Sequence, residues 1–425
     1  PCLPYPPCPP CPPYPPCLPC PPCPPCPPCP PCPPSPIPNS QLLTLIPPMP
    51  IRVFLVEDSQ IALVILKRIL NSSPEIEVVG EARNGLEALS LIPETQPDVI
   101  CTDLHMPKMD GLKFISEIMV LYPRPILVIS VSVQKDDTHH VFQLLDAGAV
   151  DILPKPLAGL TINDKQLQQE LIQKIKVLSG VKVLKKKRKL AFPSKSLETD
   201  NYVKLSLEDN PKIKVVVIGA STGGPQALQE LFTQLPENFP VPIICVQHIC
   251  FGFLQGLIDW LGNSCQLPIQ IAQSGEIPKP GIIYFPPEKQ HLELNEWGQF
   301  IYSNAPPVLG HRPSVTVAFE SVAKFYGKAT LGILLTGMGK DGAQGMQAIA
   351  QVGGLTIAQD EATSVVFGMP REAISLGAVK QILPIQAIAP TLIALFRNKA
   401  DTGLSNKLQV DEKFLSLKKN NRSST

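Results

Sequence analysis

Val215-Val216-Val217-Ile218-Gly219-Ala220-Ser221-Thr222-Gly223-Gly224 is a run of apolar, β-branched residues that leads into a serine set between glycines. β-Branched side chains favour an extended strand, and the glycines permit the sharp turn that would hold a serine hydroxyl out beyond its end. Gly219 to Gly223 reads G-x-S-x-G, and helix-like spacing follows from Gln226 to Leu235. The stretch therefore predicts strand, nucleophile elbow and helix in succession, the opening of an α/β domain.

Further strands are expected at Ile243–Gln247, Ile282–Phe285, Thr330–Leu335 and Thr356–Gln359, so residues 213–397 read as a parallel α/β domain. The strand Ile243–Gln247 runs into His248, which sets an imidazole on the same sheet edge as Ser221. The strand Thr330–Leu335 enters Thr336-Gly337-Met338-Gly339-Lys340-Asp341-Gly342. A serine hydroxyl is a weak nucleophile and needs a base, and the base needs a carboxylate to orient it; Ser221, His248 and Asp341 supply that set. The glycines flanking Met338 would let main-chain N–H groups face a reacting carbonyl. The order Ser, His, Asp is not that of the α/β-hydrolases. A Gly-rich turn can instead cradle a dinucleotide pyrophosphate, but the strict G-x-G-x-x-G is missing and the next strand ends in Gln247-His248 rather than an acidic ribose ligand. Cys250, near His248, is an alternative thiol nucleophile or a buried bystander.

The N-terminal half alternates in the same way, with strands expected at Ile51–Val56, Ile76–Val79, Val99–Thr102, Ile126–Ile129 and Val150–Leu153. Glu57 and Asp58 end the first, Asp103 the third and Ser130 the fourth, and Lys155 follows the fifth. In a parallel sheet these ends share one edge, where ligands bind. Clustered carboxylates repel one another unless a cation neutralises them, and Mg²⁺ suits all-oxygen ligation. Asp103 could then accept a phosphoryl group, with Lys155 pairing the new charge and Ser130 hydrogen-bonding its oxygens.

The chain has 425 residues and a net charge of +1, which favours neither nucleic acid nor an acidic partner. It has no apolar stretch near the roughly 18–20 residues of a membrane span and no signal-peptide pattern, so a cytoplasmic protein without membrane insertion is expected. Nine of the 13 cysteines fall between Cys2 and Cys32 in Pro-Pro-Cys triplets. Proline removes backbone donors, so residues 1–48 read as a polyproline II or disordered segment, or as residues ahead of a start at Met49. Residues 166–212 read as a solvated linker with a basic run at Lys185–Lys189, and 398–425 as a polar tail.

The stretches Val56-Glu57-Asp58-Ser59, Thr102-Asp103-Leu104-His105-Met106-Pro107-Lys108-Met109-Asp110-Gly111 and Pro154-Lys155-Pro156 resemble those of the receiver domain of two-component response regulators. The resemblance implies a flavodoxin-like five-stranded parallel sheet over residues 51–165, phosphorylation at Asp103, switch residues Ser130 and Lys155, and Mg²⁺ held at Glu57, Asp58, Asp103 and His105. Three residues before Lys155, where receivers often carry an aromatic that swings inward on activation, stands Ile152.

The whole of 51–390 resembles the chemotaxis protein-glutamate methylesterase family (CheB). The match is carried by Ile218 to Pro225, Val246-Gln247-His248, His311-Arg312-Pro313-Ser314-Val315, Leu335 to Gly342 and Ala358 to Pro370. It implies a Rossmann-like, doubly wound esterase domain with Ser221, His248 and Asp341 at the triad positions, and Thr222 and Met338 where the family has its active-site threonine and oxyanion-hole methionine. It further implies release of methanol from glutamyl methyl esters of methyl-accepting chemoreceptors, and deamidation of receptor glutamines. It also implies relief of receiver blockage by a chemotaxis histidine kinase, with no cofactor for the esterase itself. Two departures bear on docking. Ile249-Cys250-Phe251 replaces the usual Met-Pro start and leads into a helix without arginine, and Thr316 stands where an acidic residue is usual. The rival class is a response regulator that binds a partner without turnover. A DNA-binding regulator would need a helix-turn-helix, and none is evident.

Overall fold

The computed structural model describes residues 49–130, 138–156, 162–183 and 212–397. The Pro/Cys segment 1–48, the basic run 185–189 and the tail 398–425 lie outside the described residues.

The first layer system is β1 (Ile51–Val56), α1 (Gln60–Leu70), β2 (Ile76–Ala82), α2 (Gly85–Thr95), β3 (Val99–Thr102), α3 (Gly111–Leu121), β4 (Ile126–Ser130), α4 (Thr138–Ala147), β5 (Asp151–Pro154) and α5 (Ile162–Leu178). The strands pair in parallel in the order β2-β1-β3-β4-β5. The chain leaves β1 to one side for β2 and returns on the other at β3, so a crevice opens between the ends of β1 and β3. Glu57 and Asp103 stand there. The helix starts are set locally: Ser59, Asn84 and Asp110 each cap the following helix by accepting a main-chain N–H. The expected boundary at residue 165 falls inside α5. Leu171, Ile175 and Leu178 of that helix are buried under the first sheet with Val53, Leu55 and Leu127, so α5 continues the first domain where a linker was expected.

The second system runs β6 (Val215–Ala220), α6 (Gly224–Phe232), β7 (Ile243–Gln247), α7 (Leu254–Gly262), β8 (Ile269–Ile271), β9 (Ile283–Phe285), β10 (His291–Leu294), β11 (Phe300–Ser303), α8 (Val315–Tyr326), β12 (Thr330–Leu334), α9 (Ala343–Gln351), β13 (Leu355–Gln359), α10 (Met369–Ser375), β14 (Gln381–Leu383) and α11 (Ile385–Arg397). Seven of its nine described strands pair in parallel in the order β14-β13-β12-β6-β7-β9-β8, and β10 and β11 form a separate antiparallel pair. β6, β7, β12 and β13 are buried along their whole length, as their predominantly apolar sequences require of strands covered on both faces. Strand order reverses at β6, between β7 and β12, so the loops after these three strands face one crevice. Two three-residue strands, β8 and β14, and the β10–β11 hairpin are additions to the expected set; at three or four residues each they are too short to stand out as strands.

The two systems pack against each other through α4 and α7. Phe142 stacks on Trp260 with centroids 5.8 Å apart, and the Trp260 indole N–H donates to Asp146 at 3.1 Å. Gln226 donates to the carbonyl of Ala149 at 2.9 Å. The buried apolar cluster is continuous across this contact.

Candidate active site and phosphorylation site

Ser221 sits directly after β6, with Gly223 at φ 75° opening α6. A Cβ at Gly223 would meet Val365 at 2.5 Å, so both the turn and the packing require glycine. Three polar side chains from neighbouring strand ends lock the elbow. Ser221 N–H donates to the Thr336 carbonyl at 3.0 Å, and the Thr336 hydroxyl donates to the Thr222 carbonyl at 3.0 Å. Gln247 donates to the carbonyls of Ser221 and His248, both at 2.8 Å. Gln359 accepts the Thr336 N–H at 2.8 Å. None of these three braces, Thr336, Gln247 and Gln359, stood out in the sequence. The one signal was a polar residue closing an otherwise apolar strand.

His248 follows β7, its N–H donating to the Ala220 carbonyl at 2.9 Å. Its Nε2 lies 2.8 Å from Asp341 Oδ2, while Nδ1 is buried and has no partner. Asp341 is 1% exposed and fully satisfied. Oδ1 accepts from the Ser314 hydroxyl at 2.8 Å, Thr316 N–H at 2.9 Å and Gly342 N–H at 2.9 Å, and Oδ2 also accepts Val315 N–H at 2.8 Å. Two of these donors open α8, so the carboxylate occupies a helix N-terminus, where free N–H groups and the helix dipole favour an anion. Burial alone would push this carboxyl up. The His248 hydrogen bond and charge, with the Thr316 N–H, outweigh it and hold the group well below the usual carboxylate range. With Asp341 ionised, Nε2 carries the proton and the Nδ1 lone pair is free to act as a base.

Ser221, Thr222, His248 and Met338 line one cavity of about 550 Å³. The Met338 turn is pinned by Gly337, whose N–H donates to Val366 and whose carbonyl accepts from Gly368 and Met369. The other wall of the cavity comes from the first domain, including Asp151, Glu170 and Lys174. The Thr222 hydroxyl donates to Asp151 at 2.9 Å, and Lys174 holds the same carboxylate oxygen at 2.6 Å. Burial would push the Lys174 ammonium down, but Asp151 overcomes it and keeps the lysine charged. Cys250 lies 3.6 Å from Glu170, and burial together with that carboxylate pushes its thiol well up, so it stays protonated and is no nucleophile.

At the other crevice, ligand atoms of Glu57, Asp58 and Asp103 lie within 4.8 Å of one another. Such a set of hard oxygen donors fits Mg²⁺. Lys155 bridges the two buried members, at 2.9 Å from Glu57 and 2.7 Å from Asp103. Burial and then Asp103 push the Glu57 carboxyl up against the pull of Lys155. Burial pushes Lys155 down, and Asp103 and Glu57 more than reverse it. Ser130 is buried at the end of β4. His105 is exposed, and its side chain is not in the carboxylate group.

The chain matches the response regulator receiver domain over residues 53–175 and the CheB methylesterase over residues 216–392. It is 39% identical over 356 residues to the protein-glutamate methylesterase/protein-glutamine glutaminase of Nitrosospira multiformis, covering 83% of this chain and 99% of that protein. It is 39% identical over 350 residues to the protein-glutamate methylesterase/protein-glutamine glutaminase 1 of Syntrophus aciditrophicus, covering 81% of this chain and 98% of that protein. The Thermotoga maritima CheB methylesterase catalytic domain shares 39% identity, with a TM-score of 0.42 over 44% of this chain and all of that one.

Proposed function

The chain belongs to the protein-glutamate methylesterase/protein-glutamine glutaminase family, and we propose that it hydrolyses glutamate γ-methyl esters on methyl-accepting chemoreceptors under control of its receiver domain. The observation that carries this reading is His248, bonded through Nε2 to a saturated Asp341 and left with a buried, unpaired Nδ1 in the cavity that holds Ser221.

Ser221 Oγ attacks the ester carbonyl as Nδ1 of His248 takes its proton. Asp341 holds the resulting imidazolium through Nε2–H. The Met338 N–H faces the oxyanion. As the tetrahedral centre collapses, the C–O bond to the methoxy group breaks and methanol leaves with the proton from Nδ1. Water, deprotonated by the same nitrogen, then attacks the acyl-serine and releases glutamate and free Ser221. A glutamine side chain follows the same course with ammonia leaving, which is the glutaminase activity.

The receiver, residues 51–165 with α5, covers the cavity of the catalytic domain, residues 213–397, and ties up Thr222 through Asp151. Asp103 accepts the phosphoryl group from a histidine kinase. Lys155 then exchanges its bond to the Asp103 carboxylate for the phosphoryl oxygens, and Ser130 donates to them. Glu57, Asp58 and Asp103, with the His105 position beside them, would hold Mg²⁺, which neutralises phosphoryl charge when bound. Lys155 directly follows β5, the strand that begins with Asp151, so a shift at the phosphate is carried to the latch on Thr222. The test is methanol release from methylated chemoreceptor, with and without phosphodonor, by the full chain and by Ser221→Ala. Serine-dependent, phosphodonor-stimulated release supports the reading, and a folded wild type without turnover overturns it.

A further inference from the structure

The ring of His311 lies flat on the ring of His248, with centroids 3.7 Å apart and planes 7° from parallel. Two neutral aromatic rings prefer an offset or edge-to-face arrangement, because face-to-face stacking opposes like quadrupoles. The same geometry becomes favourable when one ring carries positive charge and the other presents its π face. The observed stack therefore suits a charged His248, the state that exists only while Ser221 is attacking or the leaving group is departing.

The loop is shaped to hold it there. Val308 and His311 exchange main-chain hydrogen bonds, at 3.1 and 2.9 Å, across a two-residue turn. Both central residues are left-handed, Leu309 at φ 51° and Gly310 at φ 86°. Glycine adopts that conformation freely, and a leucine rarely does, so the turn imposes backbone strain where it delivers the ring. Beyond His311 the chain enters Ser314, Val315 and Thr316, which hold Asp341. One short segment thus fixes the face of the base and the carboxylate at its edge.

We propose that His311 is a positioning residue for His248: stacked on the base, its ring fixes the plane that aims Nδ1 at Ser221 and stabilises the imidazolium as it forms. This rests on the esterase reading above. Asp341 bonds Nε2 of His248, so the carboxylate lies at the edge of the base and His311 on its face. Burial and the neighbouring His248 push His311 down to about 4, which keeps it neutral near pH 7; Asp341 and Lys174, the other charged groups it senses, act in opposite directions.

The test compares His311→Ala, His311→Leu and His311→Phe in the full chain with phosphodonor present. Two readouts are taken: methanol release, and the rate at which a fluorophosphonate labels Ser221. His311→Ala and His311→Leu are expected to lower kcat about 30-fold, the rate equivalent of a desolvated cation–π contact, with KM little changed. His311→Phe, which restores a flat ring without a titrating group, is expected to recover most of kcat and of the labelling rate. Leucine fills the space without a π face. His311→Leu at wild-type kcat, or His311→Phe no better than His311→Leu, overturns the proposal. A wild type that labels but releases no methanol removes the substrate reading, and the ranking of labelling rates still decides the role of His311.

Discussion

The two sheets of this chain place their reactive groups by the same rule and reach opposite electrostatic outcomes. In each, strand order reverses beside an early strand, and the loops beyond that point share a crevice. At the receiver crevice, two buried carboxylates, Glu57 and Asp103, share one lysine. The site keeps excess negative charge and fits a divalent cation. At the esterase crevice there is one buried carboxylate, Asp341, and five donors saturate it. That carboxylate is committed to these donors, and it transmits its charge to an imidazole. Topology chose the locations. The donors present in each loop set the charge: one lysine shared by two carboxylates at the first crevice, five donors on one carboxylate at the second.

Four changes would break or sharpen this contrast. The largest effect is expected from Ser221→Ala, which should lower methanol release by roughly 10³–10⁶-fold while leaving the melting temperature near that of the wild type. Asp341→Asn should cost about 10⁴-fold in kcat, because it reverses the hydrogen-bond direction that sets the His248 tautomer. It also carries a pH signature. The folded carboxyl lies below its unfolded value, so its stabilising contribution is complete above about pH 4 and is lost as pH falls through the folded value. Thermal melts should therefore place wild type above Asp341→Asn near neutrality, with the gap narrowing in strong acid.

At the receiver crevice, Asp103→Asn should abolish phosphodonor stimulation without lowering unstimulated turnover, read by methanol release with and without an acyl phosphate. The smallest effect is expected at the join. Asp151→Ala removes the charge-assisted bond to Thr222 and should raise unstimulated turnover about tenfold, the equivalent of one such bond. Unchanged basal turnover would mean that coverage by α4 and α5, rather than this latch, holds the site closed.

Much of this was legible in the residues. Unbroken apolar runs such as Val215–Ile218 and Ile243–Val246 could only be strands buried on both faces, and their polar ends marked the reactive edge. Ser221 and His248 stood out because each follows such a run, and Asp341 because it lies in a glycine-rich loop after one. The short strands β8 and β14 and the β10–β11 hairpin were not legible, since a pattern over three or four residues is too short to tell a strand from a loop. Gln166–Leu178 read as a helix within the linker, and its place in the first domain was not legible because its apolar residues are spread among glutamines and lysines.

Sequence by itself determined two parallel α/β units, the residue types at their reactive edges and the chemistry those types permit, because local periodicity and strand-end polarity are written in neighbouring residues. Only the tertiary structure decided which nitrogen of His248 faces Asp341, that the N-terminus of α8 holds that carboxylate, that Thr336, Gln247 and Gln359 lock the elbow, that His311 lies on the base, and that Asp151 reaches Thr222. Each of these joins residues between about 20 and 115 positions apart, through contacts a few ångströms long. Such contacts exist only once the sheet order has brought the strand ends together.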